Sequence, residues 1–212
     1  MYSLGEVEAI SKKAAKAAGL TWGEAMELSN SIRNLARVRL PSVEAFIPLL
    51  QGLNAGKFKR HGNLSEGKSI GDKNLVGFFV GIYVLDFVAY ELTHGTKSLE
   101  FKNVRFPLTL LGTLLALLTN GVKFEISWKG FKSIGSPRSF VSTGKNNNPA
   151  IVDRVIVNLS ICKLKHEMCF ASRVFIAKSN WKILEDLAFQ TYVPDSEISR
   201  NTGAGSGNLI DD

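Results

Sequence analysis

Two helix-start motifs lie close together near the beginning of the chain and constrain its fold most directly. Ser3-x-x-Glu6 and Thr21-x-x-Glu24 have the spacing of a capping box, in which the first and fourth residues exchange side-chain to backbone hydrogen bonds. Apolar residues follow each motif at helical spacing, and Gly19 ends the first helix. Two capped helices with so short a link predict an antiparallel helical hairpin. One apolar face of the second helix would carry Trp22, Ala25, Met26, Ile32 and Ala36.

A third segment, from Val43 to Leu53, follows Pro41-Ser42 and is interrupted by Pro48. Residues 1–53 are therefore predicted to form a helical N-terminal subdomain. Residues 54–74 are predicted as a long basic loop with four glycines, and loops of that length are usually functional or mobile.

The apolar period changes in the middle of the chain. Leu99–Val104 and Val122–Trp128 alternate as strands do, and Phe106–Leu118 between them is long enough for a helix. A strand, a helix and a strand connected in this way predict a crossover unit with parallel strands. The fold class predicted is α+β, or mixed α/β: an N-terminal helical hairpin appended to a mixed sheet with packed helices.

The rest of the chain completes this organisation. Residues 133–149 are rich in Gly, Ser and Asn and are predicted as a second loop, followed by a hairpin whose strands contain Val155–Ile161 and Met168–Ile176. Ser179 is predicted to cap a last helix that ends at Val193-Pro194. The division expected is an α/β core over 54–194 and a glycine-rich tail over 195–212, packed on the core or on a partner subunit.

The nearly continuous apolar run from Leu75 to Tyr90 raises the question of a membrane helix. The run is shorter than the roughly 20 residues that a bilayer requires, and Asp86 lies within it. A buried core segment is therefore the better interpretation. An aspartate in such a run is solvated at an edge, hydrogen-bonded as a structural residue, or part of a site with a perturbed pKa.

Composition limits the partners and the compartment. The net charge of +7 comes from 26 basic and 19 acidic residues, a moderate bias without the basic and aromatic interleaving of nucleic-acid surfaces. Nucleic acid and membrane are not favoured as partners; a small anionic ligand or a second copy of the chain is. The N-terminus lacks the basic and apolar regions of a signal peptide, so we expect a cytoplasmic protein.

The first half of the glycine-rich tail, directly after Pro194, is the first candidate for a site. Serines and an arginine follow Pro194 on one short turn, and the glycines beyond would let backbone approach a ligand closely. The ligand-binding residues predicted there are Ser196, Ser199, Arg200, Gly203 and Gly205.

The two basic loops supply further candidates. Ser142-Thr-Gly-Lys145 lacks the first glycine and the final Ser or Thr of a phosphate-binding loop, but Arg138 and Lys145 could still hold an anion. Arg60 is the corresponding cation of the first loop, and His61 beside it and Asp86 are weak catalytic candidates. Cys162, His166 and Cys169 do not have the spacing of common zinc sites. No metal and no cofactor are expected.

Two stretches resemble a known family. Ser3–Ala25 matches the pattern SLxExEA…AAxxAGLxWGxA, and Thr191–Gly205 matches TYVPxSExSRxxGAG. Together they resemble the two terminal signatures of an uncharacterised bacterial domain-of-unknown-function family. The resemblance implies a bacterial cytoplasmic protein, no established activity, and a greater weight for Trp22, Arg200 and the terminal glycines than for His61.

Two functional hypotheses remain. The first is a non-catalytic binding or accessory protein, as a single chain or as an oligomer, because no specific catalytic constellation is present. The second is a small-molecule enzyme acting on an anionic carboxylate or phosphate metabolite, with Arg200 and Lys145 or Arg60 as the anion clamp.

Overall fold

Both capping boxes form and start two helices that pack against each other. In this computed structural model, which describes residues 1–58, 75–91, 97–162 and 171–192, the Ser3 N–H donates to Glu6 Oε2 at 2.7 Å and the Thr21 N–H to Glu24 Oε2 at 3.0 Å. The elements in chain order are β1 Tyr2–Ser3, α1 Leu4–Ala17, α2 Trp22–Arg37, α3 Val43–Asn54, β2 Leu75–Val76, α4 Gly77–Glu91, β3 Lys97–Arg105, α5 Pro107–Leu114 with a 3-10 turn Leu115–Asn120, β4 Val122–Trp128, β5 Phe131–Ser136, β6 Ser139–Gly144, β7 Ile151–Ile161, β8 Arg173–Val174 and α6 Lys178–Phe189.

The main sheet has six strands in the order β2-β3-β7-β4-β5-β6. β3 and β4 both pair antiparallel with β7, so they run in the same direction but are not neighbours. The predicted crossover unit therefore has the expected strand direction, and β7 lies between its two strands. Helices and a largely antiparallel sheet confirm the α+β class.

Three local predictions are wrong. Residues 133–149 are not one loop, because β5 and β6 form a hairpin across Ser136 and Ser139. The predicted hairpin after β7 is not found in the described residues, since Arg173–Val174 pairs with β1 in a separate two-stranded sheet. The last helix begins at Lys178 after Ala177, without a side-chain cap from Ser179.

Trp22 and Met26 do not belong to the buried face of α2. Trp22 is 60 % exposed and lies beneath the Lys12 and Lys16 ammonium groups, whose nitrogens are 6.0 and 5.4 Å from its ring centroid. A cation near the ring face supplies an attraction that needs no burial. Ala25, Ile32 and Ala36 are buried as predicted.

A single hydrophobic cluster includes residues of the N-terminal helices and of the sheet. Small residues allow its central helices to approach closely. A Cβ on Gly81 of α4 would lie 2.6 Å from the Thr113 Cβ of α5, and one on Gly112 would lie 3.0 Å from the Ser31 carbonyl oxygen of α2. The Ser31 and Thr113 hydroxyls are 3.2 Å apart in this contact. The buried-core interpretation of the apolar run therefore holds for the side chains described up to Leu85, and no helix among the described residues is long and apolar enough to cross a membrane.

Gly81→Val is expected to lower the free energy of unfolding by about 1–3 kcal/mol, because its side chain would overpack the contact with Thr113. The matched control is Gly23→Ala in α2, where an added Cβ meets no atom within 4 Å and the higher helix propensity of alanine should raise stability. Urea denaturation of the three proteins measures both effects. Equal stability of Gly81→Val and the parent would contradict the close approach of α4 and α5.

Candidate functional site

The structure places only three of the predicted site residues. Asp86 is exposed on α4, Arg138 lies in the turn between β5 and β6, and Lys145 follows β6. The others lie outside the described residues: Arg60, His61, Ser196, Ser199, Arg200, Gly203 and Gly205.

Arg138 and Lys145 are held at opposite ends of the β5–β6 hairpin. Ser139 pairs with Ser136 at one end and Gly144 with Phe131 at the other. At about 3.3 Å per residue, the two cations are separated by roughly 20 Å of strand. They are therefore not brought together around one small anion.

The sequence left three environments open for Asp86: solvated at an edge, hydrogen-bonded as a structural residue, or part of a site. The structure shows the solvated one. It is exposed, and its charge acts on Glu27 of α2. Partial burial raises the pKa of the Glu27 carboxyl, and the Asp86 carboxylate raises it further. The two carboxylates are therefore a local electrostatic cost. Among the described residues, no group of three His, Cys, Asp or Glu side chains could hold a metal ion. Cys162 is a half-buried free thiol.

A cleft of about 540 Å³ lies where the end of α2, the start of α3 and β8 meet. Its volume is within the range of small-molecule sites, which are mostly apolar with a few polar groups. Two arginines, a serine and a glutamate supply the polar groups. The lining residues are Met1, Ala36, Arg39, Leu40, Pro41, Ser42, Glu44, Ala171, Arg173, Val174 and Phe175.

Arg39 enters this cleft from a strained backbone position. The Arg39 N–H donates to the Ala36 carbonyl at 3.1 Å and the Leu40 N–H to the Leu35 carbonyl at 3.0 Å, which is the Schellman hydrogen-bond pattern at a helix end. Arg39 has φ +59° at the left-handed position of that motif. For an L-residue this conformation costs about 1–2 kcal/mol.

The other N-terminal helices use glycine at the same position. α1 ends with Gly19 at φ +95° and α3 with Gly56 at φ +67°, and both ends make the same pair of hydrogen bonds. The same motif thus occurs three times in residues 1–58, and only its α2 copy carries a side chain. Strained non-glycine residues concentrate at functional sites, so Arg39 is a candidate for a residue kept for its guanidinium group.

Ser42, three residues later, has a second local cost. Its side chain is buried, and its hydroxyl has no hydrogen-bond partner in the described part of the chain. A buried unsatisfied hydroxyl destabilises a fold by about 1–3 kcal/mol. Ser42 also lines the cleft. Because its hydroxyl makes no hydrogen bond in the fold, the side chain can rotate about χ1 toward a ligand without losing one.

Charge in the cleft is positive overall. Glu44 is already engaged: its carboxylate accepts from the Ser42 N–H at 3.1 Å and from Asn180 Nδ2 at 3.4 Å. Arg39 and Arg173 are exposed and make no ion pair with a described residue. The charge of Arg173 reaches Glu6, whose pKa is lowered first by the hydrogen bonds from Ser3 and then by Arg173. Two guanidinium groups are thus available to an anion beside one satisfied carboxylate.

A second cleft of about 380 Å³ lies at the end of β4 and the start of β7 and is a weaker candidate. Three of its polar side chains already make contacts within the fold. Trp128 Nε1 donates to the Asn146 carbonyl at 2.7 Å, Asn146 Nδ2 donates to the Lys129 carbonyl at 3.0 Å, and Arg154 pairs with Glu100 at 2.6 Å. A ligand there would compete with existing contacts.

Sequence reasoning missed Arg39 and Ser42. The sequence did contain a weak signal for Arg39. Helices usually end with a glycine or asparagine at positive φ, but the residues that follow Ala36 include neither, and Arg39 takes that position. The partnerless hydroxyl of Ser42 depends on tertiary packing and leaves no pattern in the chain.

Comparison with known proteins finds a family model that matches the N-terminal part of the chain. Residues 2–77 match the model of a protein family of unknown function, DUF3726, which confirms the resemblance to an uncharacterised family over this region. The match includes α1, α2, α3 and both Arg39 and Ser42, whereas Arg173 lies beyond it. No curated protein and no solved structure matches the chain significantly.

Glu27→Gln is expected to stabilise the fold at neutral pH. Because the pKa of Glu27 is raised in the folded state, its charged form opposes folding above that pKa, and the penalty disappears as the pH falls through it. The stability difference between variant and parent, measured by urea denaturation across the acidic range, should therefore shrink as the pH is lowered.

Asp86→Asn is expected to lower the pKa of Glu27, because it removes the neighbouring negative charge. Carboxyl NMR measures this pKa, and Asp153→Asn is a control that should leave it unchanged. A Glu27 pKa insensitive to Asp86→Asn would contradict the coupling.

Proposed function

We propose that this chain is a binding protein for a small amphipathic carboxylate, and that the ligand occupies the cleft between α2, α3 and β8. The observation that carries the proposal is the convergence of two local costs in one cavity. Arg39 is strained where the neighbouring helices use glycine, and Ser42 is buried without a partner. A bound anion would compensate both, because it pairs with the guanidinium group and accepts from the hydroxyl.

The rest of the lining supports an amphipathic ligand. Arg39 and Arg173 offer donors whose planar fork suits a carboxylate. Leu40, Pro41 and Val174 offer an apolar wall for the body of the ligand. Glu44 is satisfied by its own hydrogen bonds and disfavours ligands with a second negative charge near α3.

Binding fits the cleft better than catalysis. A serine nucleophile requires an adjacent base, and no histidine, lysine or cysteine is among the described residues that line the cleft. Arginine stays protonated, and the Glu44 carboxylate is engaged. The alternative of an enzyme for an anionic metabolite, with Arg200 in its site, depends on residues outside the described part and remains a prediction.

We further propose a bacterial cytoplasmic location and self-association. The location rests on the resemblance to an uncharacterised bacterial family. Self-association is supported by large apolar side chains that stay exposed, as aromatic residues are enriched at interfaces. The most exposed aromatic side chains in the described part are Phe175, Phe189, Trp22 and Tyr192. Light scattering after size exclusion tests this, and a strict monomer would refute it.

Ser42→Ala should stabilise the unliganded protein and weaken ligand binding. Removing the unsatisfied hydroxyl is expected to raise the free energy of unfolding by about 1 kcal/mol, and losing a hydrogen bond to a carboxylate should weaken affinity by roughly tenfold or more. The probes are phenylacetate and the neutral phenylacetamide, measured by calorimetry; only the carboxylate should bind well. The control is Ser11→Ala, whose hydroxyl is also buried and without a partner but lies outside the cleft, so it should gain stability with unchanged affinity.

Arg39→Gly separates strain from function in the same assay. Glycine relieves the left-handed backbone, so the unliganded variant should be at least as stable as the parent, while phenylacetate binding falls by roughly tenfold. Arg138→Ala removes an exposed arginine that does not line the cleft and should change neither quantity. Unchanged binding in both Ser42→Ala and Arg39→Gly, or equal binding of acid and amide by the parent, would refute the proposed function.

A further inference from the structure

The edge strand β6 is the longer exposed edge of the main sheet. All six of its residues pair with β5 in continuous register, from Ser139 with Ser136 to Gly144 with Phe131. No other strand in the described residues pairs with its outer side. Its side chains are exposed or half-exposed, and Val141 is 56 % exposed.

This edge lacks the devices that usually prevent strand addition. Native sheets protect their edges with charged side chains, prolines, bulges or very short strands. The opposite edge, β2, is only two residues long, whereas β6 has six residues of sequence SFVSTG without a charge, a proline or a register break. Its unpaired N–H and C=O groups are a template for an added strand.

The two cations that the hairpin separates stand at the two ends of this edge. Arg138 precedes the first residue of β6 and Lys145 follows the last one, and both are exposed. Neither pairs with an acidic group of the described residues. An added strand would therefore meet a positive charge at each end and an uncharged middle.

This charge pattern argues against a second copy of the same strand. In a symmetric dimer, a two-fold axis would make two β6 strands pair antiparallel. When all six residues pair, Ser139 lies opposite Gly144 of the second copy, and Arg138 therefore lies opposite Lys145 of that copy. Like charges directly opposite each other destabilise a strand pair. The occupant that complements the edge has acidic residues at both ends.

We propose that β6 binds an extended protein segment with an uncharged, β-prone middle flanked by acidic residues. Backbone hydrogen bonds to the edge supply affinity, and the Arg138 and Lys145 charges select the segment. The half-buried Phe140 lies at the margin of the core, so alternate apolar side chains of the added strand would extend that side of the sheet. This surface is separate from the carboxylate cleft.

The test uses two labelled eight-residue peptides in which threonine and valine alternate, one with terminal glutamates and one with terminal lysines. Fluorescence anisotropy at low salt should show the acidic peptide binding about tenfold more tightly. Hydrogen–deuterium exchange with that peptide should slow within residues 139–144. The double variant Arg138→Glu/Lys145→Glu should bind the lysine peptide more tightly than the glutamate peptide. The control is Lys102→Glu/Lys123→Glu, which makes the same change of charge on exposed residues away from β6 and should keep the preference for the glutamate peptide.

Several results would overturn the proposal. These are equal binding of the two peptides, no binding at millimolar acidic peptide, protection confined to other strands, or reversal of the preference by the control variant. A dimer in sedimentation experiments that Val141→Lys converts to monomer would identify a second copy as the occupant and would also overturn it.

Discussion

The close approach of α5 to α2 and α4 is the constraint on which the rest of the structure depends. Gly112 brings α5 against the backbone of α2, and Gly81 brings α4 against Thr113 of α5. A side chain at either glycine would separate the helices and open the core between them. The contact fixes α2 relative to the sheet, and with it the position at which α2 ends.

The cleft follows from that fixed end. α2 stops in a Schellman motif, the chain turns through Pro41, and α3 begins at Val43, so Arg39 and Ser42 face a common cavity with β8. A sequence optimised for stability alone would place glycine at position 39 and alanine at position 42, as the physical costs of both residues indicate. The combination makes sense if a ligand provides the missing interactions, which is the usual relation between local strain and function.

Local signals in the sequence predicted much of the fold. The capping boxes determined the starts of α1 and α2, and the alternation of Val122 to Trp128 identified β4, because each depends on a few neighbouring residues. β5 and β6 were missed because Ser133 and Gly135 occupy inward positions that usually carry large apolar side chains. Pro137 in the tight turn after Ser136 was the available signal for that hairpin.

The candidate site was less predictable than the fold. Exposed cations such as Arg138 and Lys145 were visible in the sequence, but their separation depends on strand pairing. Trp22 was assigned to an apolar face from its helical spacing alone. That spacing carries no information about Lys12 and Lys16 of α1, whose ammonium groups lie over the exposed Trp22 ring. The cleft is lined by residues of α2, α3 and β8. One of its walls depends on the pairing of β8 with β1, which are far apart in the sequence, so no local sequence pattern could predict it.

Mapping amide chemical shifts during a titration with phenylacetate locates the carboxylate site. The largest shifts are expected on residues 36–44 and 171–175, on both sides of the cleft, and phenylacetamide should leave these amides nearly unchanged. Shifts centred instead on Lys129 and Asn146, or equal responses to the acid and the amide, would contradict a carboxylate site at the α2–α3 corner.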